Sequence, residues 1–173
     1  MTMKILLYPD PLLMVRTRPV ETITQEVRDQ VAQMKLLMYE GDGVGLAAPQ
    51  VGWSARLFLM NPSGDPRKPE LERVLINPRI VKRKGREIGA EGCLSFPGIH
   101  AEVERFMRIT VEFLDLEGGR QSVDVSDFDA RIVQHENDHL DNILLIHRMT
   151  EADKIKHRDA IEDLIRKAEV PAA

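Results

Sequence analysis

SDFDARIVQHENDHL, residues 126–140, is the stretch on which the reading of this chain depends. Ser126 is placed to cap a helix, and Asp127 and Asp129 fall in its first turn, where the helix dipole favours acids. Phe128, Ile132 and Val133 give that helix a buried side. His135 and His139 are four residues apart, so they share a helical face, close to that of Ile132, and their rings point inward. Two such imidazoles can grip one metal ion, with Glu136 beside it as a general base. Asn142, just past the helix, is a residue that tolerates the left-handed conformation of a C-terminal cap. A catalytic centre of this kind takes three protein ligands and leaves a fourth position for water. The third ligand must come from elsewhere in the chain.

Working outward, MRITVEFLDL (107–116) alternates apolar and polar residues, and LEGGR followed by QSVDV reads as a hairpin. ARLFLMN (55–61) and ERVLINP (72–78) read as strands separated by a proline- and glycine-bearing loop, and RIVKRKG (79–85) as a further short strand. TQEVRDQVAQMKLLMYE (24–40) predicts an amphipathic helix, with Val27, Val31, Met34 and Met38 at helical spacing and Thr24 as N-cap. The glycines of GDGVG end it. EADKIKHRDAIEDLIRKA (151–168) predicts a last helix, with Ile161, Leu164, Ile165 and Ala168 on one stripe and a capping-box-like start at Thr150 and Asp153. The expected fold is α+β: antiparallel β-sheets with a central metal-binding HExxH helix, an N-terminal helix and a C-terminal helix. A length of 173 residues favours a single domain, 1–173. Its catalytic core is expected over about 1–150 and its C-terminal helix over about 151–168.

Bulk composition excludes several functions. Net charge is −4, so no basic footprint points to DNA, and 5% aromatics argue against a base-stacking platform. No apolar run approaches a membrane span. MTMKILLYPD reaches a proline and an aspartate too soon for a secretory leader. The single cysteine forms no internal disulfide, and a reducing cytoplasm is the expected location.

Candidates for the third ligand differ in their support. A metzincin-like histidine six residues beyond His139, after a glycine, is absent, because Asn142 and Leu145 occupy those positions. Glu162, on the last helix, would serve as in thermolysin-like sites. Cys93, in EGCLSFPG (91–98), offers a thiolate that binds divalent transition metals. Gly92, Pro97 and Gly98 around it suggest an irregular, tightly constrained loop. On the residues alone, both Glu162 and Cys93 stay open.

GVGLAAPQVG (43–52), EGCLSFPG (91–98) and QHENDHL (134–140) together resemble the three motifs of the peptide deformylases, in order and approximate spacing, over roughly residues 1–150. The resemblance implies Cys93, His135 and His139 as metal ligands and Glu136 as the catalytic acid–base. It implies that the Gln50 amide and the Leu94 backbone N–H donate to a formyl oxygen. Gly43, Val44 and Gly45 would lie along a substrate peptide, with Val44, Ile132 and His135 against a methionine side chain; Gly43 and Gly45 also read as turn formers. Glu91 would be structural, tied to backbone or to an arginine, and Asp138 a supporting acid. The implied substrate is an N-formylmethionyl nascent peptide, and the implied cofactor one divalent ion, ferrous iron first, with zinc, nickel or cobalt as substitutes. A ribosomal contact of the last helix is a further implication, although its alternating acids read more simply as a solvated packing helix. Departures from the family pattern are Asn142 for a glycine, His147 for an acid before Arg148, and His100 for an arginine near the cleft. The first leaves the backbone requirement met, the second puts a local salt bridge in doubt, and the third bears on preference beyond methionine. The rival readings are another HExxH amidase or peptidase, and a non-catalytic metal-binding or ribosome-associated protein.

Overall fold

The computed structural model describes residues 3–169. Helix α1 (Gln25–Glu40) starts where Thr24 Oγ1 accepts from the Val27 N–H at 3.3 Å, and it buries Val31, Met34 and Met38. Strand β1 (Gly45–Ala47) runs into a 3-10 turn at Ala48–Val51, closed by Gly52 at φ 76°. Strands β2 (Leu57–Met60), β3 (Arg73–Lys84), β4 (Glu87–Cys93), β5 (Phe96–Arg105), β6 (Arg108–Leu114) and β7 (Arg120–Ser126) follow. Five of these strands form one sheet in the order β1-β2-β3-β6-β7, and β4-β5 stand apart as a hairpin. All pairings between these strands are antiparallel. The chain closes with α2 (Asp127–Leu140), α3 (Leu145–Arg148), α4 (Glu151–Lys156) and α5 (Arg158–Glu169). The architecture is the expected α+β.

The period-two geometry of β2 separates two cores. Phe58 and Met60 meet Ala130 and Val133 of α2 on one face, while Leu57 and Leu59 meet Val31 and Met34 of α1 on the other. All four β2 residues are therefore buried. A third core lies under the hairpin, where Phe96, Ile99, Ala101 and Val103 pack with Leu144, Leu145, Ile161 and Leu164. Helix α2 thus rests on the large sheet and presents its polar side to the hairpin. Gln134 joins the two, donating to the Phe106 carbonyl at 2.8 Å and accepting from the Phe106 N–H at 3.0 Å.

Several local expectations are corrected. The segments 72–78 and 79–85 are one bent strand, because Asn77 at φ 52° and the donor-less Pro78 make a bulge rather than a break. The Asn77 amide bonds both the N–H and the C=O of Val20 at 2.8 Å. EGCLSFPG is the tip of the β4–β5 hairpin, and its irregularity is a register slip between Gly92 and Cys93 rather than a loop. Ser126 precedes α2 but makes no side-chain cap, since its hydroxyl donates to Asp127 Oδ2. Phe128 is 52% exposed rather than buried. The last helix is two, interrupted at His157, whose Nε2 donates to the His100 carbonyl at 2.7 Å. Ala168 is exposed, off the buried stripe of Ile161 and Leu164. Asn142 is left-handed as expected, at φ 61°.

Candidate active site

The hairpin register slips between Gly92 and Cys93, which leaves the thiol at the tip, facing α2. Cys93 Sγ lies 3.4 Å from His139 Nε2, and the donor atoms of Cys93, His135 and His139 all fall within 4.8 Å of one another. Among the described residues this is the group of donors close enough to hold a metal ion. Glu162 is exposed on α5 and takes no part in it. The donor set suits a divalent transition metal, with soft thiolate and borderline imidazole ligands. Two atoms beside it, Glu136 Oε2 and His139 Nδ1, are buried without a protein hydrogen-bond partner. Burial alone would lower the His135 pKa, but its hydrogen bonds to Cys93 and Glu91 raise it well above the ordinary value. Burial and the His135 charge hold His139 well below it. The three residues fit a metal.

Glu136 follows His135 on α2 and is 4% exposed. Burial, with smaller contributions from Glu91 and Asp138, lifts its carboxyl to about 7, against the opposing charges of His135 and Arg105. The Gln50 side chain is fixed at both ends. Its Oε1 accepts from the Ala47 N–H at 2.9 Å, and its Nε2 points at Ser95 Oγ (3.2 Å) and Cys93 Sγ (3.5 Å). The backbone hydrogen bond and the donor aimed at the centre therefore coexist.

A cleft of about 470 Å³ opens over the centre. Gly43, Val44, Gly45, Gln50, Cys93, Leu94, Ile132, His135 and Glu136 all line it, while His139 is buried at 1% exposure and is not part of the lining. His100, Phe128 and Arg131 line it too. Neither Gly43 nor Gly45 has a positive φ, so neither uses the freedom that favours glycine in turns, although the Gly43 N–H closes the turn after α1 on the Met38 carbonyl. What matters is the missing Cβ. At Gly45 it would lie 2.5 Å from Glu136 Oε1, and at Gly43 2.8 Å from Leu94 Cδ1.

Behind the centre runs an ionic chain whose arginines, the buried Arg105 and the largely buried Arg131, the sequence reading did not single out. Glu91 accepts Arg105 Nε and Nη2 at 2.7 and 2.9 Å, Arg131 Nη1 at 3.0 Å and His135 Nδ1 at 2.9 Å. Burial pushes the Glu91 pKa up, but the Arg105 and His135 hydrogen bonds bring it to about 2. Arg105 continues to Asp138, which also takes Arg148 at 2.6 and 2.8 Å. The salt bridge that His147 put in doubt is thus supplied by Asp138. Glu91 orients His135, as carboxylates do behind metal-bound imidazoles. A signal for Arg105 was present in IHAEVER, where Ile99, Ala101, Val103 and Arg105 alternate on one face and an inward arginine demands buried acids.

A histidine pair and glutamate on one helix, faced by a thiol on a separate hairpin, define the class of single-metal HExxH centres with a Cys-His-His donor set. The family model for polypeptide deformylase matches residues 2–155, and the chain belongs to that family. It is 40% identical over 168 residues to peptide deformylase 1B, chloroplastic/mitochondrial, of Arabidopsis thaliana, covering 96% of this chain but 61% of that protein. It is 39% identical over 170 residues to peptide deformylase of Chlorobaculum tepidum, covering 96% and 91%. Among solved structures, peptide deformylase from Plasmodium falciparum superposes with a TM-score of 0.93 at 40% identity, over 98% of this chain and 100% of that one. The chain therefore spans less than two thirds of the plant relative and most of the bacterial one. No helix among the described residues is long and apolar enough to cross a membrane.

Proposed function

We propose that this chain is a metal-dependent peptide deformylase, hydrolysing the formyl amide of N-formylmethionyl nascent peptides to release formate and a free N-terminus. The observation that carries this reading is the convergence of Cys93, His135 and His139 within 4.8 Å beneath a cleft that also holds Glu136 and Gln50. Those three residues would hold the ion, ferrous iron first, with zinc, nickel or cobalt able to replace it. Such an ion would lower the pKa of a bound water from 15.7 to roughly 7.

The chain's own groups do the rest. Glu136, with a carboxyl near 7, takes a proton from the attacking water and returns it to the leaving amine. Gln50 Nε2 and the Leu94 N–H donate to the carbonyl oxygen as it gains charge, each contributing about 2.7–4 kcal/mol. The backbone at Gly43–Gly45 lies open along the cleft for strand-like pairing with the peptide. Val44, Ile132 and the His135 ring form a wall for the methionine side chain. The whole chain, 1–173, acts as one domain in the cytoplasm, meeting its substrates at the ribosome near the peptide exit. Another HExxH amidase or peptidase using Glu162 as its ligand has no support in the geometry, because Glu162 faces solvent.

Protein purified without oxygen and loaded with ferrous iron is expected to release formate rapidly from a formyl-Met tripeptide, and Glu136→Ala is expected to abolish release. No release from protein shown to hold one metal per chain would rule the assignment out.

A further inference from the structure

Arg131 stands one turn before His135 on α2 and reaches across to the hairpin with its side chain 11% exposed. Nη1 lies 3.1 Å from the Gly89 carbonyl, 2.9 Å from the Val103 carbonyl and 3.0 Å from Glu91 Oε1. Nη2 donates to the Glu87 carbonyl at 3.2 Å. Two hydrogens on Nη1 serve three acceptors, so one is shared. One guanidinium thus grips alternate residues of β4 (87, 89 and 91) and also β5. This hairpin ends in Cys93 and belongs to a different sheet from the strands under α2, so side chains must set its distance from the histidine pair. Arg105 makes one tie through carboxylates, whereas Arg131 holds the strand backbone itself.

Gly89 is the other half of this contact. A Cβ there would lie 2.8 Å from Arg131 Nη2 and 3.0 Å from Cζ. Gly89 has no positive φ, so its backbone would accept a side chain. A side chain at 89 would therefore push the guanidinium from its seat on the strand.

We infer that Arg131 is a positioning residue for the metal centre: seated on Gly89, it fixes the Cys93 thiolate at its distance from His135 and His139. The inference rests on those three residues being the ligands. Arg131 also shares the Glu91 carboxylate with His135, so its loss loosens the thiolate and one imidazole together. Outer-shell changes of this type lower metal affinity roughly 10–100-fold.

The test uses cobalt(II)-loaded full-length protein, reading the thiolate-to-cobalt absorption band and the rate of metal transfer to a chromogenic chelator. Gly89→Ala is the sharper variant, since the atom in its way is the tip of a flexible side chain and the fold yields cheaply. Gly89→Ala and Arg131→Met are each expected to speed transfer roughly 10–100-fold and to weaken or shift the band. The double variant is expected to be no faster than Arg131→Met, because the alanine acts only through the arginine. Arg131→Lys, which keeps the charge and loses the fork, is expected not to restore the band. A wild-type band with unchanged band and rate in Gly89→Ala overturns the inference while leaving the ligand assignment intact, even if Arg131→Met fails to fold. Additive effects in the double variant also overturn it. Absence of a band in the wild type removes the ligand assignment and the inference with it.

Discussion

Glu136 can stand in the cleft because residue 45 has no side chain. The carboxylate occupies space that any Cβ there would claim, at 2.5 Å from Oε1 and 2.8 Å from Cδ. Gly45→Ala is therefore expected to displace the general base while leaving the three metal donors in place. A misplacement on the order of 1 Å costs about 10²-fold in rate. Formate release should fall by about that factor, with metal content held at one ion per chain; near-normal release would show that Glu136 relocates without consequence. At this scale the sequence was most informative about donors and least about contacts. His135, His139, Cys93 and Gln50 belong to motifs, and the structure gathers them in one place. That Gly45 is needed for its lack of volume and not for its dihedral angles depends on a residue 91 positions away, which no local pattern reveals.

The hairpin β4–β5 is where the sequence reading lost an element, and also where the centre is braced. FPGIHAEVER alternates from Ile99 to Arg105, with His100, Glu102 and Glu104 on its solvent face. The glycines and proline around Cys93 suggested a loop, and the alternation beyond it went unread. Arg105, the last inward residue, is 5% exposed and bridges Glu91 to Asp138. Removing one partner of a buried ion pair typically costs about 3–5 kcal/mol, because the other charges stay buried. Arg105→Met is expected near the lower end of that range, since Arg131 and His135 still reach Glu91 and Arg148 still reaches Asp138. Arg148 has a side chain 41% exposed, so Arg148→Met should cost within about 1 kcal/mol. Urea midpoints of the two variants, compared at equal slope, test this ordering. Equal losses would mean that the inner ion pair carries no more weight than a surface one.

On the scale of the whole molecule there are three cores, one of them built on α2, and only two were foreseeable. The alternation in LFLM and the helical spacing of Val31, Met34 and Met38 are local signals for the cores on either side of the large sheet. The third joins Phe96, Ile99 and Val103 of the hairpin to Ile161 and Leu164, about sixty residues later in the chain. The stripe on 158–169 shows that α5 packs on something, but not on what. An expected boundary near residue 150 thus divides a sequence but not this hydrophobic core. Leu164 is 8% exposed at its edge, and Leu→Ala at such sites typically costs about 2–5 kcal/mol. If 1–173 is one domain, Leu164→Ala lowers the urea midpoint of a single cooperative transition, and fluorescence and circular dichroism report the same curve. Metal retention should fall only in parallel with that transition, since α5 supports the hairpin from behind and contributes no metal donor. Two separated transitions, with the centre keeping its metal after the first, would make α5 an independent appendage and overturn the single domain.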